Sequence, residues 1–166
     1  MTNACVFSPC RQYRYSLEHR WDDLMPIRRI LWIGLNPSTA DEQQLDPTLR
    51  RIKNFSDVWG FNCFVMTNLF AFRATRPEDM KATLDPVGPE NDATLMRLSR
   101  TSEMVVAAWG KHGSFCQRER IVTELIRATS PQKMHCLAVN ADGSPKHPLY
   151  VKGDTLPIEY DGAHQH

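Results

Sequence analysis

The chain of 166 residues has the length of one ordinary domain, and with 42% hydrophobic and 23% charged residues it is not a disordered polymer. The formal net charge of +1 excludes a global attraction to nucleic acid or to an anionic membrane, although it permits a local basic patch. No apolar run reaches the ~20 residues that span a bilayer, and no signal peptide is evident. We therefore expect a cytoplasmic protein with no membrane partner.

The cysteine pattern indicates reduced thiols. The five cysteines are odd in number and form no C-x-x-C pair, so a disulfide framework is not expected. Cys5 and Cys10 could act as two metal ligands, but no further Cys or His pair completes a familiar spacing. We expect neither a metal nor a cofactor.

The predicted elements begin near the N-terminus, where residues 13–17 alternate between apolar and polar side chains. This alternation predicts an edge strand or hairpin arm within about residues 11–28. Four apolar runs then begin at positions 30, 63, 104 and 134, which is about the spacing that βαβ crossovers need. Because each run is short and almost wholly apolar, it predicts a strand buried on both faces of a sheet.

Helix signals occupy the gaps between these strands. Residues 46–47, Asp-Pro, predict the N-cap and first residue of a helix that ends before Gly60. Capping-box patterns at residues 75–78 and 114–117 predict the starts of two further helices. Residues 89–92 open another helix between them, with acidic side chains in its first turn.

The resulting order, β-α-β-α-α-β-α-β, predicts an α/β protein: a three-layer αβα sandwich with a four-stranded parallel sheet. We expect a single domain over residues 1–166, with its core at about 29–151. Residues from about 153 to 166 are predicted to form a loop and a tail.

The residues that follow the predicted strands are the candidates for a functional site, because ligands of such folds bind beyond the carboxyl ends of parallel strands. Lysine and arginine suit phosphate, and an asparagine amide can read a nucleobase edge because it both donates and accepts hydrogen bonds. The pattern therefore predicts a nucleic acid or nucleotide as the partner. In strand order, the candidates are Gly34, Asn36, Pro37, Ser38 and Asp41; Asn68, Phe70 and Arg73; Trp109 and Lys111; and Lys146 and His147.

Each candidate also has an ordinary structural interpretation. An Asn-Pro-Ser sequence after a strand is usually a turn or a helix cap, and Arg73 could simply decorate a solvated loop. The joint placement of these residues after four successive strands favours a functional site. The histidines without such placement, which we assign to structural roles, are His19, His135, His164 and His166.

The motifs resemble those of the uracil-DNA glycosylase superfamily, in its mismatch-specific and single-strand-selective branches. Residues 34–37 resemble its first active-site motif, and Asn68 resembles its base-reading asparagine. Residues 108–111 resemble its Leu-Trp-Gly signature, and residues 147–148 resemble its terminal His-Pro motif. The resemblance covers about residues 29–151 and implies a uracil-DNA glycosylase-like fold.

A second resemblance is to an uncharacterised bacterial and phage family, domain of unknown function 1643. The similar stretches are residues 34–46, 68–73 and 146–150, and the similarity covers most of the chain. This family brings no established activity, and a shared fold does not prove shared chemistry.

The superfamily resemblance implies hydrolysis of an N-glycosidic bond to a modified or unusual base. Asn36 would position the attacking water, and His147 would stabilise negative charge on the departing base. The substrate would be held by Asn68, Phe70, Arg73, Lys111 and Lys146.

Two alternatives remain open at this stage. Asn36 stands where the best-known members of the superfamily carry an aspartate, so the same pocket could bind a nucleotide or nucleic acid without cutting it. A purely structural or partner-binding domain is the other alternative, and it predicts no pocket at this edge of the sheet.

Overall fold

The structure, a computed structural model, describes residues 2–39 and 44–162 of the chain. Helices and strands alternate through its central part, as an α/β fold requires. The strands are β1 (Thr2–Phe7), β2 (Arg14–Arg20), β3 (Arg29–Gly34), β4 (Cys63–Asn68), β5 (Met104–Ala107), β6 (Met134–Cys136) and β7 (Ile158–Glu159). The helices are α1 (Pro47–Val58), α2 (Pro77–Lys81), α3 (Asn91–Thr101) and α4 (Arg118–Thr129), with 3-10 segments at Gly110–Gln117 and Pro148–Tyr150.

One mixed sheet contains the seven strands of the described ranges, in the order β1-β2-β4-β3-β5-β6-β7. Its four central strands, β4, β3, β5 and β6, are adjacent and mutually parallel, as predicted. The prediction of a four-stranded sheet is wrong, because β2 and β1 extend it antiparallel beyond β4, and β7 extends it antiparallel beyond β6.

The three additional strands had weak signals in the sequence. Residues 14–20 form β2, which is one arm of an antiparallel hairpin with β1, as one of the two predicted alternatives has it. β2 is not an edge strand, because β1 pairs with its outer side. The predicted C-terminal tail contains β7, which is only two residues long and therefore shows no alternation. Tyr160 directly after β7 is buried, and its ring packs edge-on against Trp109 with the centroids 6.0 Å apart. This part of the tail thus belongs to the core.

Helices cover both faces of the sheet. Side chains alternate between these faces along each strand, so one strand contributes to the core on both sides. On β3, Ile30 and Trp32 belong to the core cluster that includes α1, whereas Leu31 and Ile33 belong to the cluster that includes α3 and α4. The sheet is therefore the middle of three layers. Within the described ranges, no helix combines the length and apolarity that a membrane span needs.

Helix α1 begins where the sequence predicts it. Asp46 Oδ1 accepts a hydrogen bond of 2.8 Å from Leu49 N, and Pro47 is the first helical residue. The helix is also tied to the C-terminal part of the chain, because Arg51 Nε donates to Pro148 O over 3.3 Å. Both the start of α1 and the segment after β6 are thus held at the same edge of the sheet.

The two predicted capping boxes are wrong. The Thr75 hydroxyl bonds with the Thr39 hydroxyl over 2.9 Å, and α2 begins at Pro77 without a side-chain cap. At the second box, Ser114 lies within a 3-10 segment, and Gln117 adopts a left-handed conformation before α4 begins. The Thr75 hydroxyl thus serves a tertiary contact that a local motif does not reveal.

Two helix-borne side chains clamp the turn that follows β4. Asn91 Nδ2 donates to the carbonyl oxygens of Asn68 and Leu69, over 3.0 and 3.1 Å. Arg118, only 4% exposed, donates from Nε to the same Leu69 oxygen over 3.0 Å and from Nη2 to Asp92 Oδ1 over 2.8 Å. These bonds fix the backbone from which the Asn68 side chain projects.

Replacing the buried guanidinium should destabilise the protein measurably. Arg118→Met is expected to lower the free energy of unfolding by about 2–3 kcal/mol, because a buried carbonyl loses a charge-assisted hydrogen bond. Urea unfolding followed by circular dichroism measures the change. Arg120→Met, on the exposed side of the same helix, is the control and should cost less than about 0.5 kcal/mol. An equally small effect of Arg118→Met would contradict the clamp.

Candidate functional site

A cavity of about 570 Å³ lies at the edge of the sheet where β3, β4 and β5 end. Its volume falls within the usual range for small-molecule sites. Loops that follow three parallel strands contribute to it, together with the start of α1 and the 3-10 segment after β6. Its polar and charged lining includes Arg14, Asn36, Ser38, Asp46, Thr48, Asn68, Thr75, Lys111, His112 and His147.

Gly34 and Asn68 form the centre of the cavity wall. They are opposite each other in the parallel register of β3 and β4. A Cβ at Gly34 would lie only 2.8 Å from Asn68 Oδ1, so glycine is the residue that leaves room for this amide. Asn68 is 3% exposed, and its side-chain amide makes no hydrogen bond with the part of the chain that the structure describes. An amide that is nearly buried and unpaired is available to a ligand in the cavity.

The loops after β3 and β4 are joined by main-chain hydrogen bonds. Leu69 N donates to Gly34 O over 2.9 Å, and Phe70 N donates to Leu35 O over 3.0 Å. These bonds continue the strand pairing beyond the sheet itself. The two loops consequently hold a fixed position relative to each other.

Asn36 is oriented by the second of these loops. Its Nδ2 donates to Ala74 O over 2.8 Å and to Pro37 O over 3.2 Å. Pro37 O in turn accepts from Ala74 N over 3.0 Å. With the amide nitrogen occupied, the amide oxygen of Asn36 is the atom left to accept a hydrogen bond from water or ligand, since it accepts none within the described ranges.

His147 enters the cavity from the segment after β6. Its Nδ1 accepts a hydrogen bond of 3.2 Å from Leu149 N, which places the proton of the neutral imidazole on Nε2. Burial lowers the pKa of His147, and the negative charge of Asp46 partly opposes this effect. At neutral pH the cavity therefore contains an uncharged imidazole with an Nε2–H donor.

Trp109 closes the cavity behind β5. The residue is 2% exposed, and its Nε1 donates to Glu119 Oε2 over 3.3 Å. Burial raises the pKa of Glu119. Gly110 follows with a φ of +75°, a conformation that favours glycine, and its N donates to Pro145 O over 2.9 Å. This bond connects the loop after β5 to the loop that carries His147.

The charges that line the cavity are mainly positive. Arg14 and Lys111 contribute cations, while Asp46 is the one carboxylate among the described lining residues. Asp46 already accepts the capping bond from Leu49 N, so this carboxylate is partly committed to the start of α1. The cavity thus suits a polar or anionic ligand better than a cation.

The structure brings together most of the residues predicted from the strand ends. Asp41 lies outside the described residues. Phe70 is fully buried in the core, where its ring lies 5.7 Å from that of Phe115, so it is not in position to stack on a ligand. Arg73 packs over Phe7, and Lys146 is also absent from the cavity lining. The predicted residues that do line the cavity are Gly34, Asn36, Pro37, Ser38, Asn68, Trp109, Lys111 and His147.

Several lining residues escaped the strand-end rule. Arg14 stands at the start of β2, and because β2 runs antiparallel to β4, its first residue reaches the edge where β4 ends. Its main-chain nitrogen donates to Ala71 O over 2.9 Å at that edge. Asp46 was recognisable as a helix cap but gave no sign of its proximity to His147. Thr48, Thr75 and Tyr150 likewise carried no separate signal.

No metal site is apparent from the side-chain arrangement. Within residues 2–39 and 44–162, no three His, Cys, Asp or Glu side chains are grouped so that they could hold an ion. Cys5 is partly buried and Cys10 is exposed, and neither lines this cavity. The polar groups that line the cavity include the amides of Asn36 and Asn68, the imidazoles of His112 and His147, and the cations of Arg14 and Lys111.

Fold and site define an α/β protein with a preformed polar cavity at the carboxyl edge of its parallel strands. The profile of the family described as Protein of unknown function (DUF1643) matches residues 14–149, which is most of the chain. The protein therefore belongs to this family. No curated protein and no solved structure matches the chain. The resemblance to uracil-DNA glycosylases accordingly rests on the motifs alone.

The fit of Asn68 against Gly34 leads to a stability prediction. Gly34→Ala would place a Cβ 2.5 Å from Met66 Cε and 2.8 Å from Asn68 Oδ1. Both atoms belong to side chains, so we expect a folded protein with a displaced Asn68 and an unfolding free energy reduced by about 1–3 kcal/mol. Denaturant unfolding measures the loss. Gly153→Ala is the matched control, because the nearest atom there is 3.7 Å away.

The pair formed by Asp46 and His147 leads to a prediction about pH. Asp46→Asn keeps an N-cap side chain but removes the charge that raises the pKa of His147, so that pKa should fall further. Nuclear magnetic resonance titration of the imidazole measures it. Asp57→Asn, near the other end of α1, is the control and should leave it unchanged. An unchanged or higher pKa in Asp46→Asn would contradict the proximity of the two side chains.

The same shift predicts how His147 affects stability. Because folding lowers its pKa, the unfolded chain binds a proton first when the pH falls below about 6.5. As the pH falls from about 6.5 to the folded-state pKa of His147, this residue should lower the free energy of unfolding progressively. Below that pKa its contribution should stay constant. His147→Gln should remove this part of the pH dependence, as measured by urea unfolding at a series of pH values.

Proposed function

We propose that the protein recognises a nucleobase in this cavity and hydrolyses its N-glycosidic bond, acting on a modified or unusual base. The observation that carries the proposal is the Asn68 amide, which is nearly buried, unpaired within the described ranges and lines the same cavity as Asn36 and His147. The order of the motifs resembles that of uracil-DNA glycosylases and supports the same reading. A uracil-DNA glycosylase-like fold is part of the proposal.

Recognition of the base would depend on Asn68. Its amide offers two donor hydrogens and an acceptor, which match the alternating donors and acceptors on a base edge. The backbone beneath it is held by Asn91 and Arg118, so the amide needs little reorganisation when the base arrives. Gly34 leaves the room beside the strand that this amide occupies.

Cleavage would divide between Asn36 and His147. The C1′–N bond breaks with its electron pair remaining on the base, and the Nε2–H of His147 donates a hydrogen bond to the negative charge that develops there. Asn36 Oδ1 orients a water molecule whose oxygen forms the new bond to C1′. The proton of this water passes to the departing base, which completes the hydrolysis.

Binding without cleavage is the second candidate function. An asparagine amide does not take up a proton near neutral pH, and the carboxylate of Asp46 is engaged as the cap of α1. Activation of water would therefore be weak. These two facts favour a nucleotide or nucleic-acid binding module that uses the same cavity.

A paired assay separates the two functions. DNA strands and nucleotides that contain uracil or modified bases are incubated with the protein, and base release is followed chromatographically while calorimetry measures binding. If the protein is a hydrolase, His147→Ala should lower the rate about 10²–10³-fold, and Asn36→Ala should also slow release. Asn68→Asp removes the donor hydrogens without changing the size of the side chain and should weaken base binding at least tenfold.

The control is His135→Ala, because His135 lies on β6 away from the cavity and bonds to Lys133 O. It should retain the rate and affinity of the unmodified protein. Binding that depends on Asn68 without any base release would select the binding module. No binding and no release with any substrate would overturn both functions.

A further inference from the structure

One side of the cavity lies where α2 meets the 3-10 segment Gly110–Gln117, and a side-chain hydrogen bond joins these two elements. Lys81, the last residue of α2, has its Nζ 3.1 Å from Nδ1 of His112. His112 lines the cavity, and so does Pro77, the first residue of α2. Neither Lys81 nor His112 has a part in the base recognition or the bond cleavage described above.

This hydrogen bond determines the tautomer of His112. An ammonium group can only donate hydrogen bonds, so Nδ1 is the acceptor and the ring proton is on Nε2. The Nε2–H group makes no hydrogen bond with residues 2–39 or 44–162, and the His112 side chain is exposed. The cavity lining therefore offers a ligand a second imidazole N–H donor in addition to that of His147.

The positive charge of Lys81 is held beside this imidazole. Its Nζ also lies 5.5 Å from the centroid of the Phe115 ring, and that ring packs against the buried Phe70 with the centroids 5.7 Å apart. The imidazole and the aromatic ring are both uncharged, so these two contacts leave the charge of the ammonium group in place. A hydrogen bond from a cation to Nδ1 polarises the ring, which makes the Nε2–H of His112 a stronger donor to an anion.

A second cation stands next to this donor. Lys111 directly precedes His112 and lines the same cavity. The hydrogen bonds from Ser144 lower the pKa of Asp142, and the charge of Lys111 adds a smaller effect in the same direction. Asp142 is bonded to Ser144 and does not line the cavity. A ligand at His112 therefore meets an N–H donor with one ammonium group behind it and another on the neighbouring residue.

We propose that this side of the cavity binds a phosphate group of the substrate. The Nε2–H of His112 donates to a phosphate oxygen, Lys111 adds positive charge at the ligand, and Lys81 is a positioning residue that sets the tautomer. The inference rests on the proposed function, and it narrows the substrate class to phosphorylated nucleosides in preference to a free base or a nucleoside. Asn68 and His112 line the same cavity of about 570 Å³, so one ligand can present its base to the first and its phosphate to the second.

The test measures how much a phosphate group adds to binding. Calorimetry at constant ionic strength compares deoxyuridine and the standard deoxynucleosides with their 5′-monophosphates and with short single-stranded DNA that carries the same base. For at least one base, a probe that contains phosphate should bind about tenfold or more tightly than the nucleoside. A gain with the monophosphate identifies a free nucleotide as the source of the phosphate, and a gain with the DNA alone identifies a strand. No gain with any of these probes would overturn the proposal.

Two site variants test the assigned roles. His112→Ala should remove the gain, an about tenfold loss for the phosphate-containing probe with unchanged nucleoside affinity, and His112→Gln should restore part of it by supplying an amide donor. Lys81→Met keeps the length of the side chain but should weaken binding of the same probe about three- to tenfold. It should also move the nitrogen-15 chemical shifts of the His112 ring toward those of mixed tautomers, which a loss of packing alone would not do.

The matched controls are His135→Ala and Lys133→Met. Both residues lie outside the cavity lining, His135 on β6 and Lys133 directly before it, where Lys133 pairs with Glu159 over 3.4 Å. Each control should keep the gain of the unmodified protein, and circular dichroism shows that every variant is folded. Equal losses in the controls and the site variants would overturn the proposal, and so would a loss of nucleoside affinity in His112→Ala as large as the loss for the phosphate-containing probe.

Failure of this inference can be told apart from failure of the proposed function. If Asn68→Asp weakens nucleoside binding while His112→Ala leaves binding of the phosphate-containing probe intact, the phosphate site is overturned and the recognition of the base stands. If His112→Ala weakens binding of that probe and Asn68→Asp does not, the phosphate site is supported and the recognition of the base by Asn68 is overturned.

Discussion

The parallel pairing of β3 with β4 is the constraint on which the candidate site depends. Its register sets Gly34 opposite Asn68, and main-chain bonds continue this pairing into the loops that follow both strands. A shift of the register by one residue would turn the Asn68 side chain to the other face of the sheet. The hydrophobic residues that set the register, such as Leu31 and Val65, therefore also position the polar residues at the strand ends.

The site combines rigid support with unsatisfied hydrogen-bonding groups. Asn68 is 3% exposed, and its amide lines the cavity without a hydrogen bond to the described part of the chain, so it is available to a ligand there. The surrounding bonds from Asn91 and Arg118 satisfy the backbone but leave the side chain unpaired. In the same cavity, the bond from Leu149 N sets the tautomer of His147. Such preorganisation is what recognition of a polar ligand requires.

Helix α1 contributes the capping carboxylate and an anchoring contact to the site. Its capping carboxylate, Asp46, lies close enough to His147 in the cavity to oppose the lowering of that residue's pKa by burial. The helix is anchored through Arg51 to the segment after β6, which carries His147, so both sides of the cavity are tied together. The net charge of +1 does not reveal which charges line the cavity, because their position and not their sum decides which ligand the cavity suits.

The sequence by itself determined the central strands, the start of α1 and the set of residues at the strand ends, because apolar runs and an Asp-Pro cap are local signals. Tertiary structure decided which strands pair and in which direction, since pairing joins segments far apart in the chain. That is why β1 and β7 were missed, and why Arg14 enters the cavity from an antiparallel strand. It is also why Phe70 packs in the core although it follows β4 as closely as a ligand-binding residue would, because the turn after Asn68 directs its side chain toward Phe115.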